Sequence, residues 1–88
     1  MEKNVYLVML IGDMGKDREY LLFEDEEVAW KYREYSSGDL DEEDEYFEKF
    51  EEDRDDVEPI KYFFSYKELL NFVEANNLNI VAEFEGCC

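Results

Sequence analysis

The chain is short and strongly acidic: its 88 residues include 26 Asp and Glu, nine Lys and Arg and no His, which gives a net charge of -17. This charge excludes direct binding to DNA or RNA and to anionic membrane surfaces, because phosphate groups would meet carboxylates. Hydrophobic residues make up 45% of the chain and aromatic residues 17%, far more than a disordered acidic chain contains. The composition therefore predicts one small folded domain over residues 1–88.

The N-terminal part of the chain predicts a β-hairpin. Residues 5–11 form a continuous apolar, β-rich run, residues 12–17 are a turn-forming cluster, and residues 20–23 are again apolar. The first run is too short to span a bilayer or to serve as a secretory signal, and no basic leader precedes it. A cytoplasmic protein without a membrane segment is expected.

A helix is predicted next. Acidic residues from Glu24 onward suit a helix N-terminus, and the helix is expected to end near Ser36, Ser37 and Gly38. Helical spacing places one apolar arc on this helix, and Trp30 lies about half a turn from that arc. The residues of the arc are Val28, Ala29, Tyr32 and Tyr35.

The segment 39–58 concentrates the negative charge. It holds thirteen carboxylates and two basic residues, a net charge of -11. Tyr46, Phe47 and Phe50 recur at one-turn spacing, which predicts a helix from about Glu42 to Arg54. Like charges at this spacing destabilise an isolated helix, so packing of the aromatic residues must offset their repulsion. We interpret the segment as an ordered acidic surface and not as a solvating tail.

The C-terminal third predicts a strand, a helix and a last strand. Pro59 ends the acidic segment, and residues 60–64 are a strand candidate. Residues 65–68, Ser-Tyr-Lys-Glu, match a capping box at the start of a helix with a broad apolar face. Asn76 or Asn77 can supply the left-handed residue that ends this helix, before a strand over residues 80–84.

The order of these elements predicts an α+β fold. We expect a small single domain of order β-β-α-α-β-α-β, with a four-stranded, largely antiparallel or mixed sheet and helices packed on one face. Residues 86–88 are expected to be a frayed end, with Cys87 and Cys88 reduced because adjacent cysteines close no useful loop. A two-fold dimer through an edge strand stays open.

No enzymatic constellation is found, and neither an enzyme nor a cofactor site is expected. The lack of His removes the commonest general base and the usual partner of a Ser or Cys nucleophile. Gly12 and Gly15 follow a strand as a phosphate-binding turn would, but a third glycine is missing and neighbouring aspartates oppose phosphate. These glycines are interpreted as part of the hairpin turn.

Calcium binding was weighed because Asp39, Asp41 and Glu43 alternate like the first ligands of an EF-hand loop. Asp44, however, stands where that loop needs a glycine, and Phe50 stands where it needs a bidentate glutamate. No specific metal site is expected, and a calcium-responsive protein is the third choice of function.

The leading hypothesis is electrostatic mimicry of nucleic acid. A helix would spread the thirteen carboxylates over about 30 Å, a charge density near that of duplex DNA. Such a surface can occupy a basic groove and gain the counterion-release contribution normally reserved for DNA. Trp30 and Tyr46 are the candidate aromatic anchors. The expected phosphate surrogates are Asp41, Glu42, Glu43, Asp44, Glu45, Glu48, Glu51, Glu52, Asp53, Asp55 and Asp56.

In size and charge alone the chain is similar to the small acidic inhibitors that phages and other mobile elements direct against restriction enzymes and CRISPR nucleases. The resemblance implies a non-enzymatic inhibitor whose partner is a basic nucleic-acid-binding protein such as a defence nuclease. The alternative is an adaptor or assembly module that binds through its sheet edge or aromatic surface, with the acidic segment serving only solubility.

Overall fold

The structure, a computed structural model, describes residues 2–12, 18–52 and 57–87. The elements in these residues are β1 (Lys3–Ile11), β2 (Arg18–Phe23), α1 (Glu26–Ser36), α2 (Glu45–Glu51), β3 (Lys61–Phe63), α3 (Tyr66–Ala75) and β4 (Leu78–Cys87). The predicted α+β class and the order β-β-α-α-β-α-β are both confirmed.

The sheet has four strands in the order β3-β2-β1-β4 and is mixed, as predicted. β2 runs antiparallel to both β1 and β3, whereas β4 runs parallel to β1. Val5 pairs with Ile80 and Tyr6 pairs with Ala82, so Val81 is the extra residue of a β-bulge. α3 connects β3 to β4, the two outer strands of the sheet.

Helices cover both faces of this sheet, so the prediction that they pack on one face is wrong. On one face Val5 and Leu7 pack in a cluster with Leu69 of α3. On the other face Val8 and Leu10 pack with Ala29 of α1. The physical reason is that β1 is apolar throughout, so both of its faces must be covered. A strand with one face in solvent would alternate apolar and polar residues.

The acidic segment forms a further layer outside α1. Leu40, Phe50 and Val57 are buried together, and Tyr32 and Tyr35 of α1 pack against them. α2 therefore packs on α1 and not on the sheet. The aromatic spacing that predicted a helix here serves this contact.

Two details of the predicted elements are corrected and a third is confirmed. The acidic helix covers Glu45–Glu51 in the described residues and starts later than the predicted Glu42, because Asp44 caps it; the predicted end at Arg54 lies outside the described residues. Ser65 is the N-cap residue of α3, but its side chain makes no capping hydrogen bond, so the capping box is wrong. Instead, the start of α3 is held by Tyr66, whose ring lies 5.6 Å from that of Tyr20. Asn77 has a φ of 54°, and the predicted left-handed residue after α3 is confirmed.

The last strand is longer than predicted and includes part of the expected frayed end. Gly86 pairs with Leu10 and Cys87 pairs with Ile11, so fraying is wrong for these two residues. Gly86 is buried, and a Cβ there would lie 3.0 Å from Ser37 Oγ and 3.2 Å from Arg33 Cγ. The Arg33 Nε also donates a hydrogen bond to the Glu85 carbonyl at 2.7 Å. Cys88 and the turn residues 13–17 lie outside the described residues.

Candidate partner-binding surface

Asp44 attaches the acidic segment to α1. One carboxylate oxygen accepts a hydrogen bond from the Tyr46 amide at 2.9 Å and caps α2, and the other lies 2.6 Å from Lys31 Nζ. The Lys31 ammonium and the Tyr46 amide hold the pKa of the Asp44 carboxyl below its usual range. Asp44, in turn, raises the pKa of Lys31. Asp44 was predicted as a phosphate surrogate, but both of its oxygens have partners within the protein.

A cluster of aromatic side chains packs α2 of the acidic segment against α1. The Phe50 side chain is only 2% exposed, and its ring lies edge-on to Tyr32 at 5.4 Å and 5.2 Å from Tyr35. The Tyr35 ring also contacts Phe47 at 5.6 Å, and its hydroxyl donates to Glu51 at 3.3 Å. Paired aromatic rings of this kind add about 0.5–1.5 kcal/mol each beyond their area burial. This packing opposes the repulsion among the carboxylates above it.

Seven carboxylates on α2 and beside it are exposed. We call this set the acidic outer face: Asp41, Glu42, Glu43, Glu45, Glu48, Glu51 and Glu52. Among residues 2–12, 18–52 and 57–87, ion pairs join only Lys3 with Glu24 and Lys31 with Asp44. Within the described chain, no cation therefore forms an ion pair with the acidic outer face.

The negative surface continues onto the start of α1, which sequence reasoning missed. Burial raises the pKa of Tyr46, and the carboxylates of Glu27 and Asp25 raise it further. The Asp25 carboxylate also caps α1, accepting from the Glu27 amide at 2.8 Å. The run of acidic residues from Glu24 was visible in the sequence but was interpreted only as a helix start. Its nearness to α2 depends on tertiary packing.

The two predicted aromatic anchors lie in different places. Trp30 is 43% exposed and lies on the β4 side of α1, edge-on to Phe84 at 5.4 Å and beneath the Arg33 guanidinium at 5.2 Å. Trp30 does not adjoin the acidic outer face. Tyr46 is half-buried beside that face, 6.1 Å from Phe50 and 5.1 Å from Lys49 Nζ. Only Tyr46 adjoins the acidic outer face.

The carboxylates do not follow one long helix. α2 has seven residues, a length of about 10 Å, so the expected 30 Å helical rod is wrong. The described carboxylates instead occupy the turn before α2, the outer side of α2 and the start of α1. Asp53, Asp55 and Asp56, which were also predicted as phosphate surrogates, lie outside the described residues.

The described residues show no group of three His, Cys, Asp or Glu side chains that could hold a metal ion. Asp41, one of the three weighed as calcium ligands, accepts a hydrogen bond from the Glu43 amide at 3.0 Å and so stabilises the turn. In the same residues, none of the helices combines the length and the hydropathy needed to cross a bilayer.

No protein-family model matches the chain, and comparisons with curated proteins and with solved structures give no significant match.

Proposed function

We propose that this protein is a non-enzymatic inhibitor that acts in the cytoplasm by occupying the basic nucleic-acid-binding surface of another protein. The partner class is a DNA- or RNA-handling protein such as a defence nuclease. The observation that carries the proposal is the acidic outer face: seven exposed carboxylates without an ion-pair partner in the described chain, on α2 and the residues beside it, with α2 fixed by Phe50 and Asp44.

The physical reason for binding is electrostatic. Nucleic acid accumulates cations that are released when a basic groove neutralises its phosphates, and a dense carboxylate surface can accumulate and release cations in the same way. A surface already ordered on a folded body loses little conformational entropy on binding. The described charges form a patch on two helices, so the contact we propose is with a compact basic patch of the partner and not with the full length of a DNA channel.

The test is capture of proteins from a bacterial lysate at two salt concentrations, followed by competition with duplex DNA. Mimicry predicts a complex that forms at about 50 mM salt, weakens steeply by about 200 mM and is displaced by DNA. A complex that survives both treatments would contradict the proposal.

The second candidate is an adaptor that binds through apolar surface, with the carboxylates providing solubility. It is favoured by the exposed residues around β3 and the start of α3. These are Ile60, Tyr62, Phe64, Tyr66 and Leu70, of which Phe64 is 73% exposed. An apolar contact tolerates salt, and Phe64→Ser would abolish it while leaving a charge-driven complex unchanged.

A further inference from the structure

A cavity of about 370 Å³ lies where α1, α2 and the segment before β3 meet. The rings of Tyr32, Tyr35, Phe50 and Tyr62 line it, together with Val57 and Pro59. Its volume is at the lower end of the range for ligand sites, about 300–1,000 Å³. Four aromatic rings therefore line one space of ligand size.

Carboxylates surround these rings. Glu58 lines the cavity itself, Glu51 accepts the hydrogen bond from the Tyr35 hydroxyl, and Glu19 is near enough to Tyr32 to act on its hydroxyl electrostatically. A ring face is the negative end of its quadrupole, so the rings and the carboxylates favour the same sign of charge in a ligand. An anion or a neutral polar group would not gain from this environment.

Lys61 is the one cation among the described residues that line the cavity, and it does not neutralise the negative charge there. Its Nζ lies 5.1 Å from the Phe72 ring and 5.6 Å from the Phe63 ring. Phe63 and Phe72 belong to the cluster on the α3 face of the sheet. The Lys61 ammonium is therefore held on the opposite side of β3 from the cavity.

We propose that this cavity receives an arginine side chain of the basic partner. A guanidinium stacks flat on aromatic rings, is weakly hydrated, and can donate two parallel hydrogen bonds to a carboxylate such as Glu58. A lysine ammonium has the same charge but neither the plane nor the fork. The entrance is accessible, because Tyr62 is 50% and Ile60 36% exposed. The inference rests on the proposed function, since it assigns one contact of the same basic partner.

The experiment uses three acetylated and amidated pentapeptides, Gly-Ser-X-Ser-Gly, in which X is arginine, lysine or citrulline. Citrulline has the shape of arginine without its charge. Each peptide is titrated into the isotopically labelled protein and followed by NMR. The arginine peptide is expected to shift amides of residues 32–36 and 57–62, to show ring-current shifts of its own side-chain methylenes, and to bind at least fivefold more tightly than either control peptide. Equal binding of the citrulline peptide would overturn the inference.

Matched variants locate the site. Tyr62→Leu removes a half-exposed ring from the cavity, and Glu58→Gln removes the carboxylate that lines the cavity. Each variant is expected to bind the arginine peptide at least fivefold more weakly. The controls are Tyr66→Leu, where the lost ring is 48% exposed outside the cavity, and Glu68→Gln on α3. If both controls weakened the peptide as much as the cavity variants, the cavity would not be the site.

The cavity site and the proposed inhibitor function can fail independently of each other. Arginine-peptide shifts confined to Glu45, Glu48 and Glu52 would overturn the cavity site, yet salt-sensitive, DNA-displaced capture of a basic protein would still support the inhibitor. Failure of capture with the cavity shifts retained would instead remove the proposed function and leave an arginine-binding cavity.

Discussion

Lys31 of α1 and Asp44 at the start of α2 form an ion pair of 2.6 Å that joins the acidic segment to the body of the domain. Their side chains are 25% and 19% exposed, so this pair is the less accessible of the two ion pairs among the described residues. A carboxylate in the most acidic part of the chain is thus used for attachment. The carboxylates of the acidic outer face, in contrast, form no ion pair within the described residues.

Asp44→Asn is expected to lower the melting temperature by a few degrees, because asparagine can still cap α2 but cannot pair with Lys31. Asp44→Ala removes the cap as well and is expected to lower it further. The control is the exposed Asp39→Asn, which removes the same charge without that pair. In a chain of charge -17 this control should leave stability unchanged or raise it. Equal melting temperatures for the two asparagine variants would contradict this role of Asp44.

The contribution of this pair depends on pH in a defined direction. The pKa of Asp44 is lower in the folded protein than its unfolded value of about 3.9, so its stabilisation is present above about pH 4 and is lost as pH falls through the folded value. The difference in melting temperature between the wild type and Asp44→Asn should therefore be full above about pH 4 and should shrink as the pH falls through the folded value. Thermal unfolding followed by circular dichroism over a series of acidic pH values measures it, and a difference that did not shrink with falling pH would have another cause.

Phe50→Ala tests whether the acidic segment is held by its aromatic underside. Loss of a ring that is 2% exposed is expected to cost about 3 kcal/mol, the lower end for such changes, because the cluster is small. Hydrogen exchange should show lost protection over residues 45–51, with the amides of β1 and β2 still protected. Leu69→Ala, in the main core, is the comparison and should lower protection in the whole sheet. Unchanged exchange in α2 of Phe50→Ala would contradict the packing described.

Much of the fold was predictable, because the fold-level signals are local. The hairpin, the turn at Asn77 and the three helices follow from spacing and turn residues. The placement of α1 and α3 on opposite faces was not predicted, although the unbroken apolar run from Val5 to Ile11 is the signal of a strand buried on both faces. The cavity was not predictable either, because Tyr32 and Tyr62 lie 30 residues apart in sequence and meet only in the folded chain.

The sequence predicted that an acidic surface exists, but the prediction of how its carboxylates are arranged was wrong. Its presence follows from composition, but the capping role of Asp44 and the nearness of Glu27 to Tyr46 depend on how α2 packs on α1. The sequence does contain the capping signal, an aspartate directly before Glu45, which our comparison with an EF-hand loop treated only as a missing glycine. That Trp30 lies away from the acidic outer face has the same tertiary reason, because Phe84 and Arg33 place it on the β4 side of α1.

Tyr32 gives a second pH dependence, at the alkaline end. Burial raises its pKa to about 12, and its contact with Tyr62 contributes. Between about pH 10 and pH 12 the unfolded chain loses this proton while the folded chain keeps it, so stability falls across this interval. Tyr32→Phe keeps the ring and removes the proton, and its urea midpoint should fall less steeply with pH. Parallel curves for the two proteins would contradict a buried, protonated Tyr32.

Charge reversal with a matched control decides whether the acidic outer face binds a basic partner. Glu45, Glu48 and Glu52 would be changed together to Lys, and in the control Glu68, Glu74 and Glu83, exposed on α3 and β4, would be changed in the same way. Both variants carry the same net charge, and each should fold with stability equal to or above that of the wild type because repulsion is relieved. Affinity for the captured partner is predicted to fall by at least a hundredfold for the first variant and by less than tenfold for the control. Equal losses in the two variants, or no loss in the first, would contradict the account.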